Sequence, residues 1–178
     1  MAKIKDAKKA NFTLKKFKIK DGKVVADYNY LHDENPDSEI REYKGVKVPL
    51  QPHPDLVSLY NQLREYVLKE FYIEATPENI MQVDVNSVSV DNRLCVINAE
   101  FDTLHGSKVN ISTSKINLDD NETSLESEID AVLDSIHEEV FEYLFRGKRA
   151  DPTLFEDFDK KEEPKSGLNV DDNHLKAV

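Results

Sequence analysis

The sequence predicts an α+β fold: antiparallel sheets with two helices in the order βββα-βββα, followed by a disordered acidic C-terminal tail. Three observations lead there. Alternating apolar and polar runs, separated by turn signals, read as hairpin-linked strands. Two other stretches carry apolar residues at helical spacing. Beyond Pro152 both periods vanish, and acids, lysines, Pro164 and Gly167 take over.

The first hairpin is the clearest local signal. Phe17 and Ile19 alternate with Lys16, Lys18 and Lys20; Asp21-Gly22 follows, then Val24, Ala26, Tyr28 and Tyr30 at period two. Asp-Gly between such runs marks a two-residue turn in which both residues need φ > 0. Ile40 to Val48 reads as a third strand, bulged at Gly45 and stopped by Pro49. His53-Pro54-Asp55 opens a helix, with proline in the first turn and an acid at the positive end of the dipole. Leu56, Tyr60, Leu63, Val67 and Phe71 share one face, and Thr76-Pro77 closes the helix.

Three further strands are predicted over Met81–Val90, Leu94–Leu104 and Val109–Leu118, with turns at Asp91-Asn92 and His105-Gly106. The apolar parity flips between Val85 and Val88 and again between Ile111 and Ile116, which reads as two bulges. Thr123 and Glu126 form a capping box. Leu125, Ile129, Val132, Ile136, Val140 and Tyr143 continue as one stripe, and Gly147 ends it beside Arg146, Lys148 and Arg149. The division is a flexible basic arm over 1–10, one α+β domain over 11–150 and the tail over 151–178.

Composition bounds the function. The chain has 178 residues, 39% hydrophobic and 33% charged, with a mean hydropathy of -0.61. That suits one domain plus tails. No run of about 18 apolar residues exists to span a bilayer, so no membrane partner is expected. The single Cys95 excludes an intramolecular disulfide and a cysteine-built zinc site, and a buried thiol in a cytoplasmic protein is expected. Residues 1–23 carry nine lysines against Asp6 and Asp21, a net +7. For the chain to total -11, the rest carries -18. A basic segment on an acidic body suits nucleic acid, an acidic partner or folding back onto the body itself.

Catalytic signatures are sparse. The five glycines are isolated, so no phosphate loop is predicted, and no two histidines sit at i, i+2 or i, i+4. His137 falls on the charged side of the last helix, where a solvated ring is expected. Pro36-Asp37 and Glu42-Tyr43-Lys44 resemble the Pro-Asp…Glu-x-Lys metal site of many nucleases, but four residues between the pieces leave no room for the second strand that site needs. Asp84, Glu100 and Asp102 could converge across a hairpin as a divalent-cation site, or simply face water. No cofactor is expected, and the chain reads as non-enzymatic.

Two segments carry binding chemistry. Lys16, Lys18 and Lys20 point one way from a single strand, beside Tyr28 and Tyr30 on its partner. Lysines tracking phosphates next to stacking aromatics suit single-stranded nucleic acid. In the structural alternative, Phe17, Ile19, Tyr28 and Tyr30 form the core face while the lysines protect a sheet edge. In the tail, Leu154, Phe155 and Phe158 stand out among acids. Asp151-Pro152-Thr153-Leu154-Phe155 resembles the pentapeptide by which bacterial replication and repair proteins dock onto the sliding clamp. That resemblance implies a protein partner gripped by Leu154 and Phe155; Asp151 stands where the family has Gln, and Pro152 is foreign to it.

The leading expectation is therefore an accessory protein, of a kind phages and mobile elements encode. It would act on a protein of DNA metabolism or on single-stranded nucleic acid. The alternatives are an acidic inhibitor that mimics DNA, and a protein that binds a small molecule or metal.

Overall fold

The computed structural model describes residues 7–32, 39–48, 50–103, 105–119 and 124–149. Strands β1 (Phe12–Lys20), β2 (Lys23–His32) and β3 (Glu39–Lys47) precede helix α1 (Pro54–Glu70) and a short helix α2 (Pro77–Met81). β4 (Val83–Asp91), β5 (Leu94–Asp102), β6 (Lys108–Ser112), β7 (Ile116–Asn117) and helix α3 (Ser124–Phe141) follow. One seven-stranded sheet of antiparallel pairs runs β3-β2-β1-β4-β5-β6, with β7 also on β5.

The α+β class and the antiparallel pairing agree with the sequence; the element order differs in two places. Thr76 caps α2 through its hydroxyl, which accepts from the Asn79 N–H (3.2 Å), so Thr76-Pro77 begins a helix and α1 has already ended at Glu70. The predicted last strand is broken into β6 and β7. At the break the Thr113 N–H bonds the Ile97 carbonyl (3.0 Å), while the Thr113 hydroxyl accepts from the Ile97 N–H (3.0 Å). The parity flip at Ile111–Ile116 is thus an interruption, whereas the flip near Val85 is a bulge at Asn86.

Local chemistry accounts for the turns. Asp21 and Gly22 both take positive φ (52° and 66°), as the Asp-Gly signal requires. The β4–β5 loop does the same without glycine, at Asn92 (47°) and Arg93 (63°). Arg93 is held there by Asp119 (2.9 Å), Asp130 (2.8 Å) and the Leu118 carbonyl (3.1 Å). Gly45 (φ 60°) forms the expected bulge in β3, its N–H donating to the Asp27 carboxylate (2.6 Å).

α1 and α3 pack together on one face of the sheet. Between them and the sheet lie Phe17, Val24, Ala26, Val88, Cys95 and Ile97, with Leu56, Leu63 and Val67 from α1 and Ile129, Ile136 and Val140 from α3, all buried. Burial pushes the Cys95 thiol up to about 12, which keeps it protonated. α3 continues as a wider π turn over Glu142–Arg146 and ends at Gly147 (φ 77°). That turn seats Phe145 against Phe12, Tyr28, Tyr30 and Phe141 and lets the Tyr143 hydroxyl bond the Val48 carbonyl (3.2 Å). The arm's described end folds back: Ala7 is buried, the Lys8 N–H donates to the Tyr30 hydroxyl (2.9 Å), and Lys9 pairs with Glu138 (2.9 Å). Among the described residues no helix is long and apolar enough to cross a membrane.

Candidate functional site

With both long helices on one side, the other side of the sheet is uncovered among the described residues. β1 lies inside the sheet, between β2 and β4. Its apolar residues Phe12, Leu14 and Phe17 turn to the helices, so Lys16, Lys18 and Lys20 turn to the open face. Register adds two more cations. Lys20 stands opposite Lys23 on β2, and Lys18 opposite Val25, whose other neighbour is Lys47 on β3. Among the described residues none of these lysines has an ion-pair partner, whereas Lys9, Lys15, Lys44, Lys69, Lys108 and Lys148 all do.

β1 and β4 pair only at Lys16–Ser89 and Phe17–Val88, then part. The gap holds a depression of about 480 Å³ lined by Lys16, Lys18, Lys20, Asp84, Asn86 and Ser87. Tyr60 of α1 reaches the strands behind it. The Tyr60 hydroxyl donates to the Val85 carbonyl of β4 (2.7 Å) and lies near the Ile19 N–H of β1. Burial raises the pKa of this phenol, so it remains a neutral donor. Beyond the gap, Ser87, Asn98 and Ser112 form a hydrogen-bonded polar row over β4, β5 and β6 (3.3 and 2.6 Å).

The tyrosines expected beside the lysines are elsewhere. Tyr28 and Tyr30 are 5% and 3% exposed, on the helix side. Tyr28 stacks on Tyr43 with ring centroids 4.9 Å apart, and Tyr30 meets Phe145 at 5.5 Å. Strand alternation separates them from Lys16, Lys18 and Lys20, so the base-stacking half of the single-strand arrangement is absent from this face. The edge-protection alternative is half right: the aromatics are core, but the lysines stand on an interior strand.

The acidic trio is also placed. Asp84 and Glu100 are cross-strand neighbours. Lys108 pairs with Glu100 and reaches Asp102 (3.6 Å), while Arg64 approaches Asp84 (3.5 Å). Each carboxylate of the trio thus lies within 4 Å of a side-chain cation. A second group, His53, Asp55 and Glu139, escaped the sequence search because its members are far apart in the chain. It too encloses an ammonium: Lys148 lies 3.1 Å from Asp55 and 2.7 Å from Glu139, and its hydrogen bond lowers the Asp55 pKa. On β3, Glu42 pairs with Lys44 (3.0 Å), while Pro36 and Asp37 of the nuclease-like pattern lie outside the described residues.

His137 is half-buried rather than fully solvated. Its Nε2 lies 3.1 Å from the Phe12 carbonyl and its ring 4.8 Å from that of Phe12; burial first lowers its pKa, favouring the neutral ring. It borders a cavity of about 320 Å³ floored by Leu14, Phe17, Leu118 and Leu133, whose rim charges Arg93 and Asp130 pair with each other. Leu154, Phe155 and Phe158 lie outside the described residues. No protein-family model matches the chain, and neither a curated protein nor a solved structure matches it.

Proposed function

We propose that this chain is a non-enzymatic binding protein that holds the phosphate backbone of single-stranded nucleic acid on its uncovered lysine face. What carries the reading is Lys16, Lys18, Lys20, Lys23 and Lys47 on one open surface, unpaired among the described residues of a chain with net charge -11. Like charges placed directly opposite one another destabilise a sheet, so the arrangement favours an anion from outside. With Tyr28 and Tyr30 on the helix side, the contact proposed is with phosphate rather than base, which makes it sequence-tolerant and salt-sensitive. The acidic remainder of the surface repels a polyanion and confines it to this face.

Fluorescence anisotropy with a labelled oligothymidylate tests it. Binding weakens with salt, by a log–log slope of about -0.7 for each phosphate neutralised. Replacing Lys16, Lys18 and Lys20 together by Gln shrinks that slope by about two. No binding at low salt would remove the nucleic-acid reading and leave an acidic protein surface as the partner of the face.

A further inference from the structure

Among the described residues β6 ends the sheet, with the hydrogen-bonding groups of its outer side unused. In its pairing with β5, the Thr113 N–H bonds the Ile97 carbonyl (3.0 Å) and the Thr103 N–H bonds the Ser107 carbonyl (2.8 Å). By antiparallel alternation, Ala99–Ile111 and Phe101–Val109 are then the hydrogen-bonded pairs between them. The N–H and C=O groups of Lys108, Asn110 and Ser112 therefore point outward, and among the described residues no strand takes them. On the helix side the edge borders an apolar groove of about 320 Å³, lined by Val67, Phe71, Ile73, Phe101, Val109 and Ile111. Val109 is 46% exposed and Phe71 41%.

The opposite edge is defended. β3 carries Glu39–Arg41 and Glu42–Lys44 ion pairs and the Gly45 bulge, all of which discourage strand addition. β6 has no bulge in its pairing with β5 and carries one charge, Lys108, which Glu100 and Asp102 neutralise within the chain.

Tyr72 marks the same place. α1 closes with the Ile73 N–H on the Leu68 carbonyl (2.9 Å) and the Tyr72 N–H on the Lys69 carbonyl (3.0 Å). This is a Schellman closure, in which the left-handed position normally belongs to glycine. Here Tyr72 occupies it at φ 56°, with its side chain 99% exposed between two groove residues. A strained backbone presenting a fully exposed ring points to a contact outside the monomer.

We propose that β6 pairs antiparallel with β6 of a second copy of this chain, about a two-fold axis through Asn110. The edge calls for a strand with apolar side chains on the helix side, polar ones on the other, and no unpaired like charge. β6 itself is such a strand. In the two-fold register Val109 meets the copy's Ile111, Asn110 meets Asn110, and Lys108 faces Ser112, so no like charges stand opposite each other along the seam. A pair of five-residue strands is small beside the roughly 1,200 Å² that stable dimers bury, and Phe71, Tyr72 and Ile73 enlarge it. A two-fold perpendicular to the sheet keeps both open faces on one side, with the two β1 strands roughly 33 Å apart at seven strand spacings. The pairing itself does not depend on what the lysine face binds.

Sedimentation velocity on the full chain, from about 1 to 300 µM, bears on this directly. The expected result is a reversible dimer. Asn110→Pro, which removes an outward N–H, sediments as a monomer. Tyr72→Gly melts higher than the parent yet dimerises at least tenfold more weakly, a combination that a loss of folding cannot produce. A parent that stays monomeric throughout overturns the proposal and assigns the edge to another chain. A dimer unaffected by both substitutions overturns it as well.

Discussion

Tyr60 reaches from α1 to the point where β1 and β4 part, and its hydroxyl takes over a role that ladder hydrogen bonds play elsewhere. It serves the buried Val85 carbonyl, so Tyr60→Phe leaves that carbonyl without this partner. The expected loss is about 1–3 kcal/mol in urea unfolding, larger than the removal of an exposed hydroxyl would give. Tyr28 behaves differently. No hydrogen bond holds its hydroxyl among the described residues, and burial first, then Tyr43, raises its pKa to about 12. The unfolded chain ionises near 10, so this contribution to stability is complete below about pH 10 and is lost as pH rises through about 12. Tyr28→Phe should flatten that alkaline fall in a pH series of melting curves while leaving stability near pH 7 little changed. At Tyr72 the left-handed backbone costs on the order of 1 kcal/mol, which glycine would recover.

Among the elements, those made by local chemistry were legible and those made by a distant partner were not. Asp21-Gly22, the α1 stripe from Leu56 to Val67 and the Gly147 stop each depend on neighbours in sequence, and the structure has them where the pattern puts them, although Phe71, the stripe's expected last member, falls beyond the helix. The β6–β7 break depends on Thr113 bonding Ile97 from another strand, and sequence parity could register only a disturbance. Phe141 and Phe145 lie off the predicted stripe of α3; the π turn, which no simple period anticipates, brings Phe145 to the aromatic cluster. Thr113 offers the test at this scale. It is buried, and its hydroxyl is the recorded partner of the Ile97 N–H. Thr113→Val keeps the shape and strands that donor, at an expected cost of about 1–3 kcal/mol by chemical denaturation. Thr113→Ser keeps the acceptor and should cost less than half as much.

At the scale of the whole molecule, the row of Lys16, Lys18 and Lys20 was legible from alternation alone. Its setting was not, because Lys23 and Lys47 join it only through cross-strand register, and Tyr28 and Tyr30 leave it for the same reason. Two opposing fields act on the cluster: repulsion among its own lysines, and attraction to an acidic body. Distance decides between them. Cross-strand neighbours have Cβ atoms about 5 Å apart and alternate residues of one strand lie about 7 Å apart, inside the ~10 Å screening length at 0.1 M salt. Of the nearby acids, Asp27 is engaged by the Gly45 N–H and Asp84 by Arg64, which leaves Asp21 alone against five lysines. Repulsion should therefore win. Replacing Lys16, Lys18 and Lys20 by Gln takes the net charge from -11 to -14, which by global charge alone should destabilise. The expectation here is the opposite: at low salt the variant melts at or a few degrees above the parent, an effect of about 1 kcal/mol. The difference should shrink toward zero by about 0.5 M salt, where screening reaches only a few ångströms. A variant that melts well below the parent at low salt would show that the body's acids hold these lysines as structural counter-ions. Higher stability together with lost oligonucleotide binding would place the cluster among sites kept for binding at the expense of the fold.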